Sequence, residues 1–176
     1  MVVILEGMKR SGKTTYANIL KDYSSLPVYY LNDRTLLENV DNTSIKDTVY
    51  GSCHTMVQMA KIIEKTTKGN CLIIFDRLHL SELVYGLRHR NYDADGMWEI
   101  DKQVRALCPY CLLFSSDTAN ERTEINSYKE DFETYSNKSC LNWIHISLDG
   151  TNGKVTHKQL NLVLQDYDLK YSFVGG

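Results

Sequence analysis

The chain has 176 residues, 43% of them hydrophobic and 24% charged; that composition is globular, and the length favours one domain over 1–176 that can bury about two-thirds of its unfolded surface without metal or disulfide staples. Twenty Lys plus Arg against 22 Asp plus Glu leave a net charge of −2, which excludes the strong basic excess of a dedicated duplex-binding protein. The longest apolar runs, 1–5 and 71–75, fall far short of the ~18 residues that cross a bilayer, so no membrane partner is expected.

In chain order, short apolar runs alternate with helical patterns. A strand is expected over 2–6, then the glycine-rich Gly7-Met8-Lys9-Arg10-Ser11-Gly12-Lys13-Thr14, then a helix over 13–23 with Tyr16, Leu20 and Tyr23 on one face. A second strand over 27–31 leads to Asn32-Asp33-Arg34, and a helix over 52–66 repeats Met56, Met59 and Ile63. The third strand, 71–76, ends in Phe75-Asp76-Arg77; a basic cluster, Arg88-His89-Arg90, follows. A fourth strand over 110–115 precedes a helix over 127–136 carrying Tyr128, Phe132 and Tyr135. The last strand, 143–148, turns through 149–153 into a helix over 156–170 with Leu160, Val163, Leu164 and Tyr167 in amphipathic spacing. Nearly unbroken apolar strands imply burial on both faces, hence an α/β fold with a parallel sheet between helices.

Five cysteines, an odd number, suggest reduced thiols and a cytoplasmic location. Lys9 and Arg10, directly behind the apolar start, argue against a secretory leader. Cys108-Pro109-Tyr110-Cys111 copies the glutaredoxin pattern, but it runs into apolar Leu112-Leu113-Phe114 rather than opening a helix, so no redox role is expected. The histidines show no zinc-ligand spacing.

Gly7 through Thr14 fits G-x-x-x-x-G-K-[ST] completely, between a strand and a helix as the chemistry requires. Glycines let backbone N–H groups curl around phosphate oxygens, and the helix N-terminus adds its positive end. Lys13 would reach the β- and γ-phosphates and the Thr14 hydroxyl would ligate Mg²⁺. The candidate triphosphate cradle is therefore Gly7, Lys9, Arg10, Ser11, Gly12, Lys13, Thr14 and Thr15, and ATP with Mg²⁺ is the expected cofactor pair. A switch GTPase would need a guanine-reading N-K-x-D, and Asn137-Lys138-Ser139-Cys140 stops short of the aspartate. Asp76, at the carboxyl end of a strand, stands where a second metal-side ligand belongs, and Arg77 beside it can clamp phosphate bidentately.

Leu5-Glu6-Gly7 through Gly12-Lys13-Thr14-Thr15, together with Asp76-Arg77 followed by Ser81, Leu83 and Tyr85, resembles the thymidylate kinase and deoxynucleoside kinase group of P-loop kinases. The resemblance implies a five-stranded parallel sheet in order 2-3-1-4-5, ATP, Mg²⁺ and phosphoryl transfer to a nucleotide or nucleoside. One branch of thymidylate kinases carries an arginine where Arg10 stands; another carries arginines in a lid over the triphosphate. Here the lid span, 116–136, is mostly acidic, with Asp117, Glu121, Glu124, Glu130, Asp131 and Glu133 against Arg122 and Lys129. Arg10 is accordingly the candidate that screens the transferring charge. The resemblance also assigns adenine to the loop 149–153, which contains Asn152.

The sequence departs from the thymidylate pattern on the acceptor side. Lys9 replaces the usual P-loop Asp, and Leu31-Asn32-Asp33-Arg34 replaces R-E-P-G. Asp33 fits a general base for a nucleoside hydroxyl, or equally a turn or N-cap pair with Asn32. Arg34 and Arg77 fit clamps on an acceptor phosphate. Gln58 is a candidate to read a base edge, Tyr85 to stack on a base, and Arg88 to border the acceptor mouth. The expected activity is phosphoryl transfer to a deoxynucleoside monophosphate or deoxynucleoside. Two alternatives stay open: a kinase acting on a hydroxyl within DNA, and an ATP-binding module without turnover. A homodimer is a further candidate assembly.

Overall fold

The computed structural model describes residues 1–32, 45–115 and 123–147. Among them run β1 (Val2–Gly7), α1 (Lys13–Tyr23), β2 (Val28–Leu31), α2 (Ile45–Thr67), β3 (Leu72–Asp76), α3 (His79–Arg90), α4 (Met97–Arg105), β4 (Tyr110–Ser115), α5 (Thr123–Lys138) and β5 (Trp143–Ser147). All strand pairs are parallel, in the order β2-β3-β1-β4-β5. This is the expected order, and it sets β1 at the centre, between β3 and β4. The loop 149–153 and the helix expected over 156–170 lie outside the described residues, as do Asp33, Arg34 and Asn152.

Side-chain alternation along the three central strands divides the core in two. Val2, Ile4, Ile73, Phe75, Cys111 and Leu113 face α2, α3, α4 and α5. Val3, Leu5, Leu72, Ile74, Leu112 and Phe114 face α1, whose Tyr16, Ala17 and Leu20 cover them. A strand buried on both faces cannot show the apolar–polar alternation of a half-exposed strand, which is why these segments read as continuous apolar runs. The edge strands β2 and β5 are only partly buried.

Three sequence expectations need correction. Tyr23 is 57% and Met59 46% exposed; the buried stripe of α2 instead runs through Val49, Cys53, Met56, Val57 and Ala60. That stripe continues upstream of Gly51, so α2 begins at Ile45 rather than near 52. Helices α3 and α4 were not anticipated. In α3, consecutive residues from His79 to Val84 are buried, leaving no helical period to detect.

Buried polar groups fasten these helices to one another. At the start of α3, His79 Nε2 lies 2.7 Å from Asp101 Oδ1 of α4. The same carboxylate accepts from Ser139 Oγ at 2.5 Å and from the Cys140 amide at 2.8 Å, in the turn after α5. Burial pushes the Asp101 carboxyl up, but the hydrogen bonds from His79, Cys140 and Ser139 outweigh it and hold the group well below the usual range. Also in the first turn of α3, Glu82 accepts from Arg90, the last residue of that helix, and from the Tyr92 hydroxyl just beyond it. Burial raises the Glu82 carboxyl, with those two partners opposing the rise.

Two predictions follow from this packing. A Cβ built on Gly7 would lie 2.0 Å from the Phe114 carbonyl oxygen, and Gly7 holds φ +123°. Gly7→Ala should therefore lower stability by on the order of 3 kcal/mol or more, or prevent folding; an unchanged urea midpoint would refute the close approach. For Asp101 the folded-state pKa is depressed, so its stabilisation is present above the unfolded value near 3.9 and is lost as pH falls through the folded one. Urea midpoints taken from pH 7 down to pH 2 should fall more steeply below about pH 4 for the native protein than for Asp101→Asn, which should already be less stable at pH 7. Parallel profiles for the two proteins would contradict the assignment.

Candidate active site

Where β1 ends, Gly7 presses against β4 and the chain turns over: the Met8 amide donates to Phe114 O at 3.2 Å. Arg10 and Gly12 adopt left-handed conformations, φ 64° and 83°, and the Tyr16 amide reaches Gly12 O at 2.9 Å to start α1. The loop is braced from inside. Buried Ser11 donates its hydroxyl to Met8 O at 2.7 Å. The Lys13 ammonium, 4% exposed, donates to Gly7 O at 3.0 Å, Met8 O at 2.5 Å and Ser11 Oγ at 3.1 Å. The cation is thus held inside the curl of the loop by the loop's own oxygens.

Over this loop lies a cavity of about 200 Å³ lined by Arg10 through Thr15 and by Arg77. Among the described residues its lining carries the cations Arg10, Lys13 and Arg77 with Ser11, Thr14 and Thr15, and no carboxylate. Such a lining suits a polyanion.

Asp76, the last residue of β3, and Arg77, just past the strand, make their contacts on opposite sides of the sheet. Arg77 falls on the face of Phe75 and α3. Its backbone adopts φ 72°, its amide donates to Leu5 O at 2.9 Å, and its Nη1 donates to Ser81 Oγ at 2.9 Å. Its guanidinium lies 5.3 Å from the Tyr85 ring centre. Asp76 falls on the face of Ile74 and α1. Tyr30 of β2, paired in register with Ile74, donates its hydroxyl to Asp76 Oδ2, and Asn32 Nδ2 reaches the same oxygen at 3.4 Å. The Lys21 ammonium of α1 sits 3.5 Å over the Tyr30 ring. Asp76 Oδ1 is buried and has no hydrogen-bond partner among the described residues.

The expected phosphate residues therefore converge, with Gly7 beneath the loop and Lys9 exposed beside it. Of the acceptor-side candidates, Arg77 joins them at the cavity, while Gln58, Arg88 and Tyr85 make contacts elsewhere. Gln58 Nε2 donates to Gln103 Oε1 of α4 at 3.4 Å. Arg88 is ion-paired to Asp131 at 2.5 Å and lies 5.0 Å over the Tyr128 ring, linking α3 to α5. Tyr85 packs among Arg77, His89, Tyr128 and Phe132, with ring centres 5.6–5.8 Å apart, so its faces serve packing between helices rather than an open stacking site. Asp33, Arg34 and Asn152 are not among the described residues.

No site role was expected of Glu6, Ser81 or Tyr30, and Asn32 was expected only in a turn or N-cap pair with Asp33. Glu6 is fully buried and accepts from the Leu78 amide at 2.8 Å, the Ser81 amide at 3.2 Å and the Ser81 hydroxyl. A glutamate ending an otherwise apolar strand carried a signal, because a buried carboxylate needs partners. The Tyr30 contact carried none, since it depends on the register of β2 against β3.

No protein-family model matches the chain, and no curated protein matches its sequence. Solved structures do match. Thymidylate kinase from Ehrlichia chaffeensis superposes with a TM-score of 0.64 at 18% identity, covering 97% of this chain and 98% of that one. Thymidylate kinase from Candida albicans gives 0.63 at 15% identity, over 98% and 92%. The YorR protein from Bacillus subtilis, solved in complex with phosphorylated GDP, gives 0.61 at 16% identity, over 97% and 98%. The chain has the thymidylate kinase-like P-loop kinase fold.

Removing the Tyr30 hydroxyl takes one donor from a buried carboxylate. Tyr30→Phe should cost about 1–3 kcal/mol in urea unfolding. A loss no larger than that of a surface Tyr29→Phe control would show that the contact contributes nothing.

Proposed function

We propose that this protein transfers the γ-phosphoryl group of ATP to a deoxynucleoside monophosphate or deoxynucleoside. The observation that carries the reading is the cationic cavity formed by the Arg10–Thr15 loop and Arg77 at the carboxyl ends of the parallel strands, where ligands of open α/β sheets bind. The similar structures, two thymidylate kinases and a protein solved with phosphorylated GDP, support a nucleotide as one partner.

The chemistry asked of the chain is positioning and charge stabilisation, because phosphoryl transfer needs little covalent help. Loop amides and the N-terminus of α1 receive the phosphate oxygens, and Lys13 supplies a fixed positive charge. Arg10, exposed on the loop rim, screens the charge that develops on the transferring group. Arg77 enters the cavity from the α3 side and aligns the acceptor. Among acceptor-side residues, Asp33 stays a candidate base and Arg34 a candidate clamp, and Asn152 a candidate contact to adenine. Gln58, Tyr85 and Arg88 are already engaged between helices and are left out of the proposed acceptor site.

Mg²⁺ fits the donors present. Asp76 Oδ1 is a buried carboxylate oxygen without a partner among the described residues, and Thr14 lines the cavity. Among the described residues no cluster of His, Cys, Asp and Glu could hold a metal by itself; an ion bound here would arrive with the nucleotide and keep its waters. The ion would neutralise charge between the β- and γ-phosphates. No described helix is long and apolar enough to cross a membrane.

The test is one panel with γ-labelled ATP: thymidine, the four deoxynucleoside monophosphates, base-modified analogues and a short oligonucleotide. Label should enter a nucleoside or monophosphate lane, and Lys13→Ala should cut that transfer by about 10³-fold or more. Label in the oligonucleotide lane alone would move the acceptor to DNA. Binding of ATP with no transfer in any lane, or full activity in Lys13→Ala, would overturn the proposal.

A further inference from the structure

We infer that Glu6 and Ser81 are positioning residues for Arg77: a buried carboxylate sets the direction of a serine hydroxyl, and that hydroxyl holds the guanidinium at the cavity. The inference rests on the proposed phosphoryl transfer for its kinetic consequence, though not for its geometry.

The chain of contacts is continuous. Glu6 is fully buried on the face of Val2 and Ile4, beneath the first turn of α3. One of its oxygens accepts the Leu78 and Ser81 amides at 2.8 and 3.2 Å; the other accepts the Ser81 hydroxyl. A serine hydroxyl has one proton. With that proton given to Glu6, the oxygen turns its lone pairs outward, and Arg77 Nη1 donates to it at 2.9 Å. Arg77 is fixed at its other end as well, by its amide bond to Leu5 O at 2.9 Å. The Tyr85 ring, one turn beyond Ser81 on α3, backs the guanidinium at 5.3 Å.

The arrangement meets two needs together. The negative charge of Glu6 is taken up by the α3 N-terminus and, through Ser81, by the cation of Arg77. The long Arg77 side chain, which would otherwise sample many rotamers, is restrained where it lines the cavity. Because the relay uses only one Arg77 nitrogen, the remaining N–H groups of the fork are available to a phosphate.

The proton count makes the relay testable. In Glu6→Gln the amide oxygen can still accept the two backbone amides, while the amide nitrogen donates to Ser81 Oγ and competes with Arg77. In Ser81→Ala the acceptor is removed; in Ser81→Thr it is kept.

Crystal structures of the four proteins are the first measurement. Arg77 should leave its place at the cavity in Ser81→Ala and Glu6→Gln and keep it in Ser81→Thr. An Arg77 unmoved in both Ser81→Ala and Glu6→Gln overturns the inference. Should Ser81→Ala fail to fold, Glu6→Gln against Ser81→Thr decides alone. Kinetics are the second measurement. Ser81→Ala should lower kcat by about 10- to 100-fold, with the KM for ATP little changed and activity recovered in Ser81→Thr. It should cost almost nothing further when Arg77 is already alanine. An equal loss in both backgrounds would mean that Ser81 acts on α3 as a whole, and would overturn the relay. If the native protein phosphorylates no acceptor, the proposed function fails, and the position of Arg77 in the variants still decides the inference.

Discussion

The contact on which the site depends is between two backbones. Gly7 lies so close to the Phe114 carbonyl that no side chain fits between them, so β1 can stay paired with β4 to its last residue and still leave the sheet abruptly. That exit aims the following turn over the sheet's carboxyl edge and delivers the first residues of α1 to the same place. It also brings the Gly7 and Met8 carbonyls round to where the Lys13 ammonium binds them. A side chain at residue 7 would separate β1 from β4, and the carbonyls would no longer share one cation.

Around that centre the chain leaving β3 distributes the chemistry. Adjacent residues at the end of β3 serve opposite faces: Asp76 turns toward α1 and Tyr30, Arg77 toward α3 and Ser81. A carboxylate and a guanidinium side by side in sequence would tend to neutralise each other if they shared a face. Separated by the sheet, the carboxylate keeps a buried oxygen without a partner among the described residues while the guanidinium lines the cavity.

Helix α3 is the second support, and buried carboxylates gathered about its first turn hold it. Glu6 receives its first amides, Asp101 receives His79 at its start, and Glu82 gathers Arg90 and Tyr92 from near its end. Tyr92 can lie over the helix because residue 86 is glycine; a Cβ there would meet the Tyr92 ring at 2.9 Å. Each buried charge is matched by several donors, the condition under which burial is tolerated. The helix that carries Ser81 is in this way tied to β1, α4 and the turn after α5.

The strands, the phosphate loop, and Lys13, Asp76 and Arg77 were legible from residue order alone. Each is encoded over a few consecutive positions, by an apolar run or by glycine and lysine at fixed offsets, and sheet order followed from the family those motifs resemble. The buried stripe of α2 was misplaced and α3 passed unseen, because burial on nearly all sides erases the helical period on which such readings depend. Tertiary structure alone decided what surrounds the site residues. Tyr30 meets Asp76 across 46 positions and Glu6 meets Ser81 across 75, through strand register and helix docking that no local pattern specifies. For the same reason Gln58 and Arg88, whose chemistry suited a substrate, are turned to other helices. Residue type determined which side chains have the chemistry to suit a phosphate; only the packing of distant segments determined which of them reach the cavity.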